Sequence, residues 1–200
     1  MRHFVIGDIH GHAIALESII DAIKPTHTDR ITFLGDVIDH GPESREVLDK
    51  LIALRQVCQT DFIEGNHEAM LLASITDADA RQYWVRYGGD QTLKSFHAET
   101  PNAIPEQYIQ FIRGFSTFVE TERFLFVHAG VLNEVPVKGQ AIQTLQWDHM
   151  TAPAKHSSGK VVVHGHTPNE SVRMAPHCIA MDTGIARGGL LSCLELHSHQ

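Results

Sequence analysis

The amino-acid sequence predicts an α/β fold in a single domain, and two observations carry that prediction. Short apolar runs of strand-forming residues alternate three times with segments of helical periodicity between Phe4 and Ala73, which is typical of a layered α/β core. The chain has 200 residues, 42% of them hydrophobic, and this length and composition suit one domain, residues 1–200, with a sizeable core. The pattern therefore favours an α/β fold over an all-helical one.

Each of the first three units predicts a strand, a polar loop and a helix. The apolar residues that indicate the helices lie around Leu16, Leu48 and Met70, and they recur at the spacing of one helical face. Pro25 is expected to end the first helix, and Pro42 stands where the first turn of the second helix tolerates proline. The three strands are predicted over residues 4–6, 31–34 and 61–63.

After these units the pattern loosens. Residues from about 76 to 114 form polar helical pieces, which we interpret as a small cap-like helical insert. Trp84 and Tyr87 are expected in the core of this insert rather than as a surface on which a base stacks. Further strands are predicted over residues 115–120 and 123–127 as a hairpin, over 160–163 as a buried strand, and over 178–182 and 190–196 as a β meander around Asp182-Thr183-Gly184.

The composition argues against several kinds of partner. The 24 acidic and 16 basic residues give a formal net charge of −8, which disfavours the nucleic-acid backbone and anionic membrane surfaces. An anionic small substrate requires bound metal to reverse the local sign. There is no charged region followed by an apolar signal core and no apolar run of membrane-spanning length, so we expect a cytoplasmic protein without a membrane partner. The three cysteines, widely and irregularly spaced, fit reduced core thiols.

Five of the predicted strands end in loops rich in glycine, aspartate, asparagine and histidine. In open α/β sheets, ligands bind beyond the carboxyl ends of the strands, so we expect these loops to converge on one edge. Asp8 and His10 are two residues apart, which points both side chains to the same side of an extended chain. Such residues, with one shared carboxylate, are the ligands that two divalent transition metals need. The loops are residues 7–11, 35–41, 64–68, 128–130 and 164–168.

In these five ordered motifs the sequence resembles the phosphoprotein phosphatases within the calcineurin-like metallophosphoesterases, especially their small bacterial and phage members, and the match runs from Gly7 to Leu196. The resemblance implies a β-sandwich of two mixed sheets flanked by helices. It also implies two divalent metal ions, manganese or else iron or zinc, that are bridged by Asp36. The implied ligands are Asp8, His10 and Asp36 for one ion, and Asp36, Asn66, His128 and His166 for the other.

The resemblance further implies roles for residues around the ligands. His67 is expected to act as the general acid that protonates the departing alkoxide. Asp39 is expected to orient the imidazole of His67 and to raise its basicity. Asp182 and His164 are expected to lie beside the ligands without binding a metal themselves.

The sequence departs from the family pattern at two positions where the family has a phosphate-binding arginine. His40 and His149 stand there, and we expect their imidazoles to contact the substrate phosphate. The alternative is that both are solvent-facing loop residues without a ligand. Arginine offers a permanent charge and a bidentate fork, whereas histidine loses its charge near neutral pH. Phosphate binding by cationic forms of these residues would weaken as the pH rises past about 6.5.

The leading functional prediction is a dimetal-dependent phosphoesterase that hydrolyses phosphate monoesters, of the serine/threonine protein phosphatase kind. Its partner would be a phosphopeptide, a phosphoprotein or a small phosphate ester. One alternative is a hydrolase of dinucleoside polyphosphates such as diadenosine tetraphosphate, which shares these motifs and cuts an anhydride. Another alternative, of a different class, is a catalytically weak metal-binding sensor or interaction module. The presence of every implied ligand and of the His67–Asp39 pair counts against that last interpretation.

Overall fold

The computed structural model describes residues 1–150 and 154–196 of the chain. Within these ranges the strands form two mixed sheets, one of four strands and one of five. Helices flank both sheets, which confirms the predicted α/β fold class. The strands are β1 His3–Ile6, β2 Arg30–Phe33, β3 Gln59–Phe62, β4 Phe118–Glu120, β5 Phe124–Val127, β6 Val161–His164, β7 Arg173–Ala175, β8 Cys178–Ala180 and β9 Cys193–Leu196.

The four-stranded sheet, in the order β3-β2-β1-β9, contains the first three predicted strands. Strands β1, β2 and β3 are parallel, with Val5 opposite Thr32 and Thr32 opposite Asp61, and β9 pairs with β1 in the antiparallel direction. Parallel neighbours place their carboxyl ends at the same edge of a sheet. The loops that follow β1, β2 and β3 therefore emerge side by side.

The five-stranded sheet has the order β4-β5-β6-β8-β7. Strands β4 and β5 form the predicted hairpin, and β5, β6 and β8 are parallel. The loops after β5 and β6 therefore also leave the sheet at one edge. An isolated parallel bridge between Ile63 and Ser116 joins the end of β3 to the chain that precedes β4.

The alternating side chains of β1 explain how the sheets and helices pack. Val5 packs between the sheets against Phe126 and Val163 of the other sheet. Phe4 and Ile6 point to the opposite face and pack with the helices. Each of these five side chains is at most 4% exposed, and burial of a side chain of this size stabilises the fold by about 1.5–3 kcal/mol. The core thus fixes the strands whose ends carry the polar loops.

The helices begin and end close to the predicted signals. Lys24 takes the left-handed conformation, with φ 44°, directly after α1 and before Pro25, and α2 begins shortly after Pro42. In the part of the chain that the structure describes, no helix combines the length and the apolar character that a membrane crossing needs. The helices are α1 Ala13–Ile23, α2 Ser44–Leu54, α3 Asn66–Ser74, α4 Ala78–Trp84, α5 Asp90–Ser95, α6 Glu106–Arg113 and α7 Ile142–Trp147.

The segment interpreted as a helical insert contains α4, α5 and α6, with a π-helical turn at Val85–Gly89 between the first two. Helix α4 packs against α3, and α5 packs against α2. Trp84 is fully buried in the core, but Tyr87 is 45% exposed, so the prediction that Tyr87 lies in the core is wrong. Residues three apart share a face only in a regular helix, and Tyr87 leaves the helical conformation at φ −99° and ψ 28°.

The predicted meander over residues 178–182 and 190–196 is also wrong. Strand β8 pairs with β6 and with β7, a strand that the sequence did not reveal, whereas β9 lies in the other sheet and pairs with β1. Alternating hydrophobicity identifies a strand but not its partner, and the partners of β8 and β9 include strands that lie far away in the sequence. The segment Asp182-Thr183-Gly184 therefore begins the crossing between the two sheets.

Candidate dinuclear metal centre

The polar loops after β1, β2, β3, β5 and β6 meet at one edge of the two sheets. Asp36 belongs to two groups of residues with metal-binding side chains, which suits the bridging position expected for it. Asn66 lies beside the second group, with its Oδ1 2.9 Å from Nε2 of His128 and 3.0 Å from Nδ1 of His166. The groups, each with its ligating atoms within 4.8 Å of one another, are Asp8, His10 and Asp36, and Asp36, His128 and His166.

The loops hold these side chains through backbone conformations that residues other than glycine rarely adopt. His10, Asp36, Asp39, His40 and His166 all have a positive φ, between 45° and 71°. Such a position costs about 1–3 kcal/mol and persists only where the surrounding contacts fix it. The concentration of these residues here indicates that the loops are shaped for the site rather than for stability.

Glu68 supplies the contacts that fix the loop after β2. Its buried carboxylate accepts three backbone N–H bonds, from Asp36 (2.8 Å) and Gly65 (3.0 Å) through Oε2, and from Val37 (2.9 Å) through Oε1. Glu68 thereby caps α3, which begins at Asn66, and ties this helix to the Asp36 loop. Sequence reasoning missed this role, although a glutamate three residues after a candidate N-cap is the signal of a capping box.

Glycine is required where the loops approach the carboxylates. A Cβ built on Gly165 would collide with Oδ1 of Asp8, and one built on Gly65 would collide with Oδ1 of Asp36. Without these side chains the main chain closes around the ligands, and the N–H of His166 donates to Oδ2 of Asp8 over 3.1 Å. These two glycines therefore determine how tightly the carboxylates are held.

We expect Gly165→Ala to weaken metal binding by about 10- to 100-fold, the range found when a group that orients a metal ligand is disturbed. The added methyl group would displace the carboxylate of Asp8. The affinity of the purified chain for Mn²⁺, measured by competition with a chelator, checks this expectation. Gly139→Ala is a matched control, because the nearest heavy atom to its Cβ would lie 3.5 Å away. Equal Mn²⁺ affinity in the two variants would contradict the packing argument.

Backbone carbonyl groups decide which nitrogen of His10 and His128 faces the site. Nδ1 of His10 lies 3.1 Å from the carbonyl oxygen of Ile38, and Nδ1 of His128 lies 2.8 Å from that of Leu34. A carbonyl oxygen only accepts, so Nδ1 is the donor in both and Nε2 is the nitrogen that remains for a metal. The two Nε2 atoms lie 3.6 Å and 3.3 Å from Oδ2 of Asp36.

His166 presents the opposite nitrogen. Its Nε2 donates to the carbonyl oxygen of Trp147 over 3.0 Å, so its Nδ1 faces Oδ1 of Asn66 with a lone pair. Two electron-rich atoms that face each other are stabilised by a cation between them, and a donor set of carboxylate, amide and imidazole suits manganese, iron or zinc. The residues therefore fit divalent ions, and the assignment of each ligand to an ion stays a prediction.

The pKa values of the implied ligands shift in different directions, according to the charges around each one. Burial lowers the pKa of His128, but the carboxylate of Asp36 outweighs burial and raises the pKa to about 10. Burial lowers the pKa of His10 to about 3 and that of His166 to about 4, so both are neutral imidazoles, the form that binds a metal. Burial raises the pKa of Asp36, yet His128 and His67 hold it well below its usual range.

His67 and Asp39 lie in direct contact beside the ligands. Nδ1 of His67 donates to Oδ2 of Asp39 over 2.8 Å, and its Nε2 lies 4.0 Å from Oδ2 of Asp36. Burial lowers the pKa of His67, but Asp36 and Asp39 outweigh burial and raise the pKa to about 9. In the metal-free protein these carboxylates therefore favour the protonated imidazole, which is the state that a general acid needs.

The helical segment 78–95 supplies two donors to Asp39, which is fully buried. Nε1 of Trp84 donates to Oδ2 over 2.8 Å, and the hydroxyl of Thr92 donates to Oδ1 over 2.6 Å. Together with His67, these donors fix the orientation of the carboxylate. Sequence reasoning missed both, because helical periodicity indicates that Trp84 is buried but not which polar group its indole nitrogen meets.

The ligands open onto a cavity of about 360 Å³. His40 lines it, with its ring centroid 4.9 Å from those of His10 and His67, and desolvation by the surrounding protein lowers the pKa of His40. His149 lines it as well, with its ring stacked on that of His166 at a centroid distance of 5.0 Å. Both side chains are exposed to solvent, and their role in phosphate binding stays a prediction.

Asp182 and His164 differ in their relation to this cavity. Asp182 is buried, lines the cavity and accepts the N–H of Gly184 through Oδ1 over 2.8 Å. His164 donates through Nδ1 to the carbonyl oxygen of Gly165 over 3.0 Å and lines a separate cavity beside Cys178. Within residues 1–150 and 154–196, no hydrogen bond of the His164 side chain reaches an implied ligand. Its supporting role stays a prediction.

Tyr87 and Arg187 also line the cavity, and the sequence did not indicate that either residue lies there. Tyr87 reaches it from the π-helical turn, and Arg187 reaches it from a short 3-10 turn, Ile185–Arg187. Both positions depend on irregular backbone between the regular elements, which periodicity does not describe. The cavity therefore combines the metal ligands with an aromatic ring and a guanidinium group.

A carboxylate shared between two groups of ligands, placed where the strands of two sheets end, is the arrangement of a dinuclear metallohydrolase. The sequence model of the calcineurin-like phosphoesterase family matches residues 1–188. The chain belongs to this family, and it is a metal-dependent hydrolase that acts on phosphoester bonds. The dinuclear divalent site of the family agrees with the two ligand groups. Membership of the phosphoprotein phosphatase branch stays a prediction.

Curated proteins similar to nearly the whole chain include bis(5'-nucleosyl)-tetraphosphatases named PrpE. Those of Bacillus cereus (strain AH820) and Bacillus anthracis (strain CDC 684 / NRRL 3495) are each 25% identical over 227 residues, which covers 98% of this chain and 90% of the relative. A cold-active protein-tyrosine phosphatase of a psychrophile Shewanella sp. superposes with a TM-score of 0.78 at 17% identity, over 98% of this chain and 75% of that one. A protein serine/threonine phosphatase from Saccharomyces cerevisiae superposes with a TM-score of 0.65 at 15% identity, over 100% of this chain and 81% of that one. The two solved structures show the fold alone.

Proposed function

We propose that the chain hydrolyses phosphate monoesters, with phosphoserine or phosphothreonine in a protein as the leading class of substrate. The observation that carries this proposal is the position of the His67 imidazole, which is hydrogen-bonded to Asp39 and has its Nε2 directed toward the shared carboxylate of Asp36. The alkoxide of serine or threonine is a poor leaving group and departs readily only when it receives a proton. An acid at this place is therefore what monoester cleavage requires.

The chain contributes binding, charge and a proton to this reaction. Divalent ions held by the ligand groups would supply an activated water and neutralise the phosphoryl oxygens. His67 gives its Nε2 proton to the ester oxygen as the bond from that oxygen to phosphorus breaks, and Asp39 keeps the imidazole in position throughout. The products are inorganic phosphate and the free alcohol. The residues that would hold the ions are Asp8, His10, Asp36, Asn66, His128 and His166.

A second candidate, the hydrolysis of dinucleoside polyphosphates, is favoured by the curated relatives. The tetraphosphatases match over 98% of this chain. The cavity also places Arg187 and the exposed ring of Tyr87 beside the ligands, and these groups suit an additional phosphate and an aromatic base. The leaving group would then be a phosphate oxygen, which depends less on a general acid than an alkoxide does.

A comparison of substrates tests both candidates. With Mn²⁺ bound, we expect the chain to hydrolyse phosphoserine and phosphothreonine peptides with a higher kcat/KM than diadenosine tetraphosphate, because the protonated His67 favours poor leaving groups. p-Nitrophenyl phosphate, a monoester whose leaving group departs without a proton, serves as the reference substrate. The reverse order would favour the second candidate. A chain that binds two metal ions and hydrolyses none of these compounds would contradict both and support a metal-binding sensor.

A further inference from the structure

We infer that Arg187 binds a phosphate group of the substrate in the cavity beside the metal centre. The inference rests on the proposed function only in that the ligand carries a phosphate, which holds for both candidate substrates. Among the described residues that line the cavity, Arg187 is the only lysine or arginine. It shares this cavity of about 360 Å³ with Asp36 and with Nε2 of His67, the groups placed at the reaction.

The guanidinium group of Arg187 is available for a ligand. Arg187 is exposed, and within the two described ranges its side chain takes part in no hydrogen bond and no ion pair. Asp182, an acidic residue of the same cavity, accepts the N–H of Gly184 through Oδ1. Burial raises the pKa of Asp182 and the charge of Arg187 opposes that rise, but no hydrogen bond or ion pair joins these two described side chains.

The backbone around Arg187 holds it at this position. Ile185 is only 7% exposed and anchors the 3-10 turn in the protein, and the N–H of Arg187 donates to the carbonyl oxygen of Gly184 over 2.8 Å. Gly184 and Gly188 flank the turn with φ 75° and 83°, a conformation that favours glycine. A side chain on a fixed turn loses less conformational freedom on binding than one on a mobile loop. The turn therefore fixes the backbone from which the Arg187 side chain reaches the cavity.

Arginine suits this ligand for two chemical reasons. Its charge is permanent, unlike that of the histidines in the same cavity, and its planar fork matches two oxygens of one phosphate. The ligand chemistry is therefore a phosphate anion. It comes either from the group that is hydrolysed or, in a polyphosphate, from the phosphate next to it.

Inorganic phosphate, the product of the reaction, is the probe for this inference. In the metal-loaded full chain, we expect Arg187→Ala to raise the dissociation constant of phosphate, measured by calorimetry, by about 10- to 100-fold. The content of bound metal should stay the same. Arg187→Lys keeps the charge but loses the fork, so a smaller increase is expected. Arg113→Ala is the matched control, because Arg113 is an exposed arginine of α6 outside the cavity and its loss changes the net charge equally.

Three outcomes would overturn the inference: no phosphate binding by the metal-loaded wild-type chain, unchanged phosphate affinity in Arg187→Ala, or an equal loss of affinity in Arg113→Ala. Because the readout is binding, it is separate from the test of the proposed function. A chain that hydrolyses no phosphate ester, yet loses phosphate affinity with Arg187→Ala, would refute the proposed function and support the role of Arg187.

Kinetics then identify the phosphate that Arg187 contacts. An equal loss of kcat/KM for p-nitrophenyl phosphate and for diadenosine tetraphosphate in Arg187→Ala would place the contact on the phosphate that is hydrolysed. A larger loss for the tetraphosphate would place it on a neighbouring phosphate. Both outcomes support a phosphate contact, and an unchanged kcat/KM for both substrates would contradict it.

Discussion

An Asp36→Asn variant is expected to lose its bound metal ions and about a thousandfold or more of its activity toward phosphate esters, because bound metals supply several kcal/mol of stabilisation to the transition state. Among the described residues, Asp36 is the one carboxylate that belongs to both ligand groups. An amide in its place lacks the negative charge that offsets two divalent cations. Atomic absorption measurements of metal content, together with the hydrolysis of p-nitrophenyl phosphate, check this result.

The variant is expected to fold, so the loss can be assigned to the site. Asparagine has nearly the same shape as aspartate, and its side-chain oxygen can still accept the backbone N–H of His67, which donates to Oδ1 of Asp36 over 3.1 Å. Asp21→Asn removes the same charge at an exposed position of α1 and should keep both ions and full activity. Two ions per chain in Asp36→Asn would contradict the bridging assignment.

His67→Ala is expected to lower kcat for phosphoserine peptides by about 10²- to 10⁴-fold, the range of a positioned general acid. The metal content should be retained, because His67 is not among the implied ligands. The loss should be much smaller for p-nitrophenyl phosphate, whose leaving group departs without a proton. Steady-state kinetics on the two substrates measure the difference, and an equal loss on both would contradict the assignment of His67 as the acid.

The pH dependence of the same reaction provides an independent readout. The acid must be protonated, so the activity on phosphoserine peptides is present below the pKa of His67 and falls as the pH rises through it. In the metal-free protein this pKa is about 9, and cations bound at Asp36 bring it lower, because like charges disfavour the protonated form. His67→Ala should lack this alkaline decline, and His27→Ala, at an exposed position, should keep it.

The part of the fold and site that follows from local pattern was predictable from the sequence. Strands β1 and β2 contain short apolar runs, β3 is the polar segment Gln59–Phe62 with one buried apolar residue, and each of the three is followed by a glycine-containing loop and a helix. Because parallel strands end at a common edge, the position of Asp8, Asp36 and Asn66 at strand ends was enough to predict that they meet. No knowledge of side-chain contacts was needed for that step.

The rest depends on contacts between segments that are distant in sequence or on irregular backbone. The partner of β9 is β1, at the other end of the chain, and no local signal encodes that pairing. Glu68 belongs to a motif that was recognised, yet its three bonds to the backbone depend on how α3 docks beside the Asp36 loop. Tyr87 and Arg187 enter the cavity from a π turn and a 3-10 turn, whose geometry hydrophobic periodicity does not report.

The hydrogen bonds from Trp84 and Thr92 to Asp39 have a consequence for how this chain can be shortened or recombined. Deletion of residues 78–95 would leave a buried carboxylate without two of its donors, at a cost of about 1–3 kcal/mol for each group left unsatisfied. We therefore expect a catalytically competent fragment to include α4 and α5 as well as the strands and the ligand loops. A chimaera that imports this region from a homologous protein needs hydrogen-bond donors at the places of Trp84 and Thr92 to hold Asp39, and through it His67, in position.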